Sequence, residues 1–467
     1  MLSSYQGLKL KLIGIHRIEE DEGQEIAEGP LSGTKIKPYD PFSELSHVSR
    51  LFSKTIEGSY VSLFGLSLSH SHSTIFASVD EKYFEFKAKY GLFGGRCILI
   101  ESEKLFFRSR YHIADLHRFS TGSRFNRELD ENYKNEKLHI LEDGDSDVFD
   151  VPEKGICLKF YNGYSKDSDL YSIKLGFATT LTIESKENTD LSNHLSHYSR
   201  FNLLLEFLRG YKTVTNNIFF YTDHIVQQFD DTKIYEEFEF VSNKGYYPID
   251  VPDKDELIIS LNNLQNRTDI VNSWMAREDS IIRLISWFNY LWQNESYLVE
   301  SQLVEYASLL EIMSASDEKR GKFLEKAKFA PILDELKNSL PQDLDSEILD
   351  IFKSYLERMN TKSQRLAIDS LVSLVWEQFS NKTDFSCQDF ARAISVNRNN
   401  ISHGNFASQD KCSAKSTQAI FYLKEFTKYI VFALLCKSIG ISDDDIKTTV
   451  VHKFNSRELN LKRSDFF

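Results

Sequence analysis

The hydrophobic period of this chain changes near Trp274, and that change limits what it can fold into. Upstream, short apolar runs alternate or cluster as strands do. Leu8-Lys9-Leu10-Lys11-Leu12 has a period of two, and Tyr60 to Phe64, Cys97-Ile98-Leu99-Ile100 and Thr180-Leu181-Thr182-Ile183 read as further strands. Gly94-Gly95 and Asp143 to Asp147 mark turns, and residues 20–40 and 123–150 read as polar loops. One helix interrupts, from Tyr198 to Leu208, with Phe201, Leu204, Leu205 and Leu208 at helical spacing. Downstream, helical spacing takes over, and all four tryptophans (Trp274, Trp287, Trp292, Trp376) lie there. Ile281, Leu284, Ile285, Phe288 and Trp292 mark one helix, and Leu303, Val304, Ala307 and Leu310 a second. Leu371, Val372, Val375 and Phe379 mark a third, Phe390, Ile394 and Ile401 a fourth, and Phe426, Tyr429, Ile430 and Ala433 a fifth. Pro331 and Pro341 fall near helix borders. The expected fold class is an α+β multidomain chain: a β-rich domain over residues 1–270, then an all-α helical bundle over 271–467.

At 467 residues the chain exceeds one ordinary core, and 41% hydrophobic residues suffice to fill two. No apolar run reaches the roughly 18 residues a membrane span needs, and the start Met1-Leu2-Ser3-Ser4-Tyr5 lacks the basic and apolar regions of a signal peptide. Cys97, Cys157, Cys387, Cys412 and Cys436 are scattered and form no C-x-x-C pair. They read as reduced thiols of a cytoplasmic protein without a zinc site. The net charge of −13 argues against nucleic-acid binding until its distribution is read. Residues 277–467 hold 25 Lys/Arg against 27 Asp/Glu, which leaves 31 against 42, a net of −11, for the rest. Residues 391–467 hold 12 against 7, a net of +5. That segment can accept a phosphate-bearing substrate, although a solvated helical face would give the same count.

The basic segment contains Arg398-Asn399-Asn400-Ile401-Ser402-His403, followed by Gly404 and Asn405. A permanent cation, an amide and an imidazole fall within six residues at the end of a predicted helix. With Phe390 as the origin of a helical wheel, Ile394 and Ile401 fall within about 40° of it. Asn399 falls on the opposite side, His403 just beyond it, and Arg398 a little under a quarter turn from the origin. Asn399 and His403 therefore point away from the core as an i, i+4 pair. Arg398 lies on the flank, where a long side chain can reach round. The blander reading makes Gly404 a helix C-cap and His403 a partner of the C-terminal dipole. Arg110 and His117 form a second, looser Arg-x6-His pair, read as surface charge.

Other candidates carry less. His70 and His72 share a strand face but have no evident carboxylate partner. His194 and His197 read as surface residues, and Glu305 and Glu311 flank the apolar stripe of the second bundle helix. Either glutamate could support the site, against the plainer reading of solvated helix charge. Asp443-Asp444-Asp445 after Ser442 reads as capping charge. No phosphate loop, serine elbow or H-E-x-x-H occurs, and no cofactor is expected.

The stretch from Arg398 to Gly404 resembles the Arg-x4–6-His motif of HEPN domains, in the form Arg-Asn-x-x-x-His-Gly. The whole architecture resembles the ApeA family of bacterial anti-phage proteins. The resemblance implies a metal-independent HEPN endoribonuclease with Arg398, Asn399 and His403 as its catalytic residues. In such domains the 2′-hydroxyl of RNA attacks the adjacent phosphate, leaving a 2′,3′-cyclic phosphate and a 5′-hydroxyl. An imidazole, which ordinarily titrates near 6.5, supplies the acid or base. A guanidinium stabilises the charge developing on phosphorus. The implied partners are RNA, with tRNA a candidate, a second subunit bound through the HEPN domain, and a phage-derived trigger at the N-terminal domain. Two rival readings remain: a non-catalytic HEPN binding module, and a β-domain carbohydrate enzyme with a helical oligomerisation domain, which would need paired carboxylates.

Overall fold

The computed structural model describes residues 9–11, 50–54, 59–65, 67–74, 81–100, 102–114, 116–119, 125–129, 136–140, 147–168, 173–230, 232–242, 258–294, 298–316, 322–341, 345–404, 412–457, 459 and 461–467. It divides into two compact units. The first comprises 1–205 and 213–253, the second 206–212 and 254–467.

The described strands of the first unit are β1 (Lys9–Lys11), β2 (Arg50–Lys54), β3 (Tyr60–Phe64), β4 (Ser67–Thr74), β5 (Glu81–Lys87), β6 (Tyr90–Gly94) and β7 (Phe106–Ile113). They continue with β8 (Phe125–Leu129), β9 (Glu136–Ile140), β10 (Val148–Val151), β11 (Ile156–Ser168), β12 (Ile173–Thr189), β13 (Thr215–Phe229) and β14 (Thr232–Ser242). Nine of them form one antiparallel sheet in the order β10-β11-β12-β7-β13-β14-β6-β3-β2. A three-stranded sheet, β1-β5-β4, and the hairpin β8-β9 take the rest. Alternation decides the faces. Along β7, Ser109, Tyr111 and Ile113 are buried at a period of two, their register partners Ile183, Leu181, Phe220 and Ile218 are buried with them, and Phe106, beyond a register shift, is buried as well. Aromatic rings tie five strands together on this face. Phe64–Tyr90, Tyr90–Phe240, Phe240–Phe220 and Phe220–Phe106 have centroids 5.4, 5.4, 5.9 and 5.3 Å apart, within the range for offset and edge contacts.

Helix α1 (Leu191–Arg209) lies against the same residues. Asp190 caps it, accepting from the Asn193 amide at 2.8 Å. Tyr198 stacks on Tyr111 at 4.0 Å, and Phe201, Leu204 and Leu205 are buried. The helix thus starts nearly two turns before the predicted Tyr198. His194 is not a surface residue, as the sequence suggested, but fully buried. Its Nε2 faces the Phe106 carbonyl at 3.1 Å, an acceptor only, so Nε2–H donates there and Nδ1 accepts from the Ser109 hydroxyl at 2.9 Å. Burial drives its pKa down to about 4, which leaves a neutral imidazole that serves as a core hydrogen-bonding group.

Two further expectations for this unit fail. Cys97 to Ile100 joins no sheet: side-chain bonds, Ile98 N–H to the Ser62 hydroxyl at 2.8 Å and the Cys97 thiol to the Val61 carbonyl at 3.9 Å, stand where a backbone ladder would. Residues 123–150 hold three strands where a loop was expected: their polar side chains hide short pairings such as Arg127 opposite Leu138 and Phe149 opposite Leu158. The stretches 20–40 and 143–146, and Asn405, lie outside the described residues.

The second unit is helical: α2 (Arg267–Ala276), α3 (Ile281–Gln293), α4 (Val299–Ser316), α5 (Lys326–Asn338), α6 (Ser346–Arg358), α7 (Gln364–Val372), α8 (Trp376–Phe379), α9 (Cys387–Ser402), α10 (Thr417–Ser438), α11 (Asp443–Ile446) and α12 (His452–Asn455). Helix α10 is buried on every side from Leu423 to Cys436, the signature of a central core helix. Phe432 stacks on Phe288 at 5.5 Å, and Phe426 meets Phe454 edge-on at 4.7 Å. The buried Lys424 and Glu425 pair with each other, and Arg457 adds a second cation 3.3 Å from Glu425 Oε2, so this buried carboxylate is compensated. Ser442 caps α11 by accepting from Asp445 N–H, as its acidic run predicted.

The third predicted helix breaks. Leu374 and Val375 close in i→i+3 turns, Leu374 to Leu371 at 3.2 Å and Val375 to Val372 at 3.0 Å. Because Leu371, Val372, Val375 and Phe379 all remain buried, the apolar spacing survives the break and conceals it. Helices α5 and α6 were not anticipated, and Pro331 sits inside α5 rather than at its border. Pro331 has no N–H to close the helical bond. No described helix is long and apolar enough to cross a membrane.

Candidate active site

Helix α9 carries the Arg-Asn-Asn-Ile-Ser-His stretch at its C-terminal end. Ser386 caps its start, accepting from the Asp389 amide at 3.1 Å. Phe390, Ala391, Ala393 and Ile394 are buried, and Phe390 packs on Trp376 with centroids 5.1 Å apart. The helix ends at His403, whose amide bonds the Asn399 carbonyl at 3.0 Å. Gly404 follows at φ +71°, with its amide on the Ile401 carbonyl at 3.1 Å. Gly404 is therefore a left-handed C-terminal glycine. That capping role is compatible with a chemical role for His403, because the turn that ends the helix also leaves the imidazole on its outside.

Asn399 and His403 are both exposed, on the outward face the wheel assigns them. Arg398 is 28% exposed and turns back toward the bundle. Its Nη1 donates to Asn399 Oδ1 at 3.1 Å and its Nη2 to Glu311 Oε2 of α4 at 3.4 Å. Nε stands 3.2 Å from Glu311 Oε1, yet neither atom completes a hydrogen bond, and both are buried. The guanidinium is thus held by charge in a geometry that leaves part of its fork unused. Burial raises the pKa of Glu311, and Arg398 offsets part of that rise. Arg398 and Asn399 are brought together, while the His403 side chain bonds to neither of them among the described residues.

Asn397 escaped the sequence reading. It is buried, and its amide nitrogen donates to the Ala393 carbonyl at 2.7 Å and the Cys412 carbonyl at 2.9 Å. Its Oδ1 accepts from the Ala414 amide at 2.8 Å. Asn400 adds a bond to the Ser413 hydroxyl at 2.7 Å. Two asparagines flanking Arg398 and Asn399 thereby fix the returning segment 412–414 against the end of α9. Only a buried polar residue on an otherwise apolar helix face signals such a clip. The alternative sites gain little: Arg110 lies half-buried with its guanidinium carbon 5.2 Å from the Tyr221 ring, and His117 is exposed.

Arg398, Asn399 and His403 thus stand at the end of one helix of the bundle, with Glu311 of a neighbouring helix against the arginine. The family model described as Apea-like HEPN matches residues 304–445, which include all of these groups. The model described as ApeA N-terminal domain 1 matches residues 2–274, more than half of the chain. The chain belongs to the ApeA family, as an ApeA-like protein with a C-terminal HEPN domain. No curated protein and no solved structure matches it.

Proposed function

We propose that this protein is a metal-independent endoribonuclease of anti-phage defence, acting through abortive infection. The observation that carries the reading is the pairing of Arg398 with Asn399 on an exposed helix end that also bears His403. His403 takes the proton from the RNA 2′-hydroxyl, or delivers one to the departing 5′-oxygen. The 2′-oxygen forms its bond to phosphorus as the P–O5′ bond breaks. Arg398, exchanging Glu311 for the phosphate, compensates the charge on the equatorial oxygens. Asn399 orients Arg398 or binds a phosphate oxygen. One chain supplies one imidazole at this helix end, so a homodimer joined through its HEPN domains supplies the second proton-transfer group. The acidic N-terminal domain acts as the sensor for a phage-derived trigger, in the cytoplasm, and tRNA is the candidate substrate.

The test is the chemistry of the ends. Purified protein is mixed with total RNA and excess chelator, with and without extract of phage-infected cells. Fragments with 2′,3′-cyclic phosphate and 5′-hydroxyl ends are expected. Fragments with 5′-phosphate ends, cleavage that chelation stops, or RNA left whole in both mixtures would sink the reading.

A further inference from the structure

Helix α6 keeps its apolar stripe on the outside. Tyr355 is 65% exposed, Met359 60% and Ile351 55%, and Ile348 and Phe352 are exposed as well. No residue of α5 or α6 is buried. Ile348, Phe352, Tyr355 and Met359 are spaced four, three and four apart, the seam spacing of two helices packed knobs-into-holes. Monomeric proteins rarely leave a contiguous apolar surface of this kind in water.

The charges on α6 indicate its occupant. Its start is acidic, with Asp345, Glu347 and Asp350 exposed. In its second half Lys353 stands 3.9 Å from Asp350 of the same helix and Glu357 is taken by Lys337 at 2.7 Å, which leaves Arg358 as the exposed cation opposite in sign to Asp345 and Glu347. A helix acidic at one end and basic at the other, with one apolar seam, complements itself when reversed. About a two-fold axis between Phe352 and Tyr355, Ile348 of one copy meets Met359 of the other, and Glu347 approaches Arg358. The helix dipoles then also run in opposite directions.

We propose that the exposed face of α6 is a self-association surface, occupied by α6 of a second copy of this chain. The contact is isologous, each copy offering the same patch. The inference rests on the homodimer proposed above and names the face that builds it.

Sedimentation velocity on the full chain tests it. Wild type is expected to be dimeric at micromolar concentration. Phe352→Glu with Tyr355→Glu is expected to be monomeric with an unchanged circular dichroism melt, because neither side chain enters the core. Glu347→Lys is expected to weaken the dimer about tenfold, and Glu347→Lys with Arg358→Glu to restore it, since both ends then swap sign. A monomeric wild type would overturn this face and the dimer reading together. A Phe352→Glu/Tyr355→Glu chain as dimeric as wild type would overturn the face alone, and so would a charge swap that restores nothing.

Discussion

His403→Ala is expected to lower RNA cleavage by roughly a thousandfold, within the range a positioned acid or base contributes, while the melting temperature stays that of wild type. The side chain is exposed and bonds to nothing in the bundle among the described residues, so its removal costs no packing. Arg398→Ala is expected to cost roughly a hundredfold to a thousandfold, the scale of losing one preorganised electrostatic group. Arg398→Lys should recover little of that, because an ammonium cannot reproduce the two-pronged guanidinium contact. The two losses should not add in the double variant if both residues serve one step. Cleavage rates on a single RNA, beside thermal melts of each variant, decide the matter. Full activity in His403→Ala would remove this helix end from the chemistry.

Asn397→Leu is expected to destabilise the helical unit by roughly 3 kcal/mol, since it strands the Ala414 N–H and Cys412 carbonyl in a buried place. For a unit of this size that is a drop in melting temperature on the order of 10 °C. Cleavage should fall with it even below the melt, because the end of α9 loses the segment that braces it. Asn400→Ala, which breaks one bond to a partly exposed serine, should cost about 1 kcal/mol or less. Equal melts for the two variants would show that the clip is not what holds the segment. Calorimetry on the full chain reads both.

The helix end that presents Asn399 and His403 was legible because their placement depends only on the turn of one helix and the position of Phe390. Glu311 could not be told from Glu305 in the sequence. Both flank the same apolar stripe, and the choice rests on how α4 crosses α9. Asn397 was hidden for a similar reason, since the partners that make it a clip are backbone groups fifteen to seventeen residues on. His194 misled because a histidine at a helix start reads as polar surface, and the Ser109 and Phe106 groups that satisfy it come from a distant strand. The α6 helix had a capping signal in Asp345, which accepts from Glu347 N–H at 2.9 Å, but its apolar stripe enters no core among the described residues.

On the proposed function, the pairing of Glu311 with Arg398 would link substrate capture to protons. Among the described residues Arg398 is the charge that holds the Glu311 pKa down, against burial that pushes it up. A phosphate that draws Arg398 away leaves burial to act alone, so the pKa rises and the carboxyl takes up a proton. RNA should then bind more tightly as pH falls toward the range where Glu311 titrates in the free protein, and the gain should vanish in Glu311→Gln. Binding heats measured in two buffers of different ionisation enthalpy would count the protons, and equal heats would uncouple the carboxyl from capture. On that proposal Glu311 would work as a placeholder: the resting site keeps its cation neutralised, and an entering anion would exchange that neutralising charge for a proton on the carboxyl.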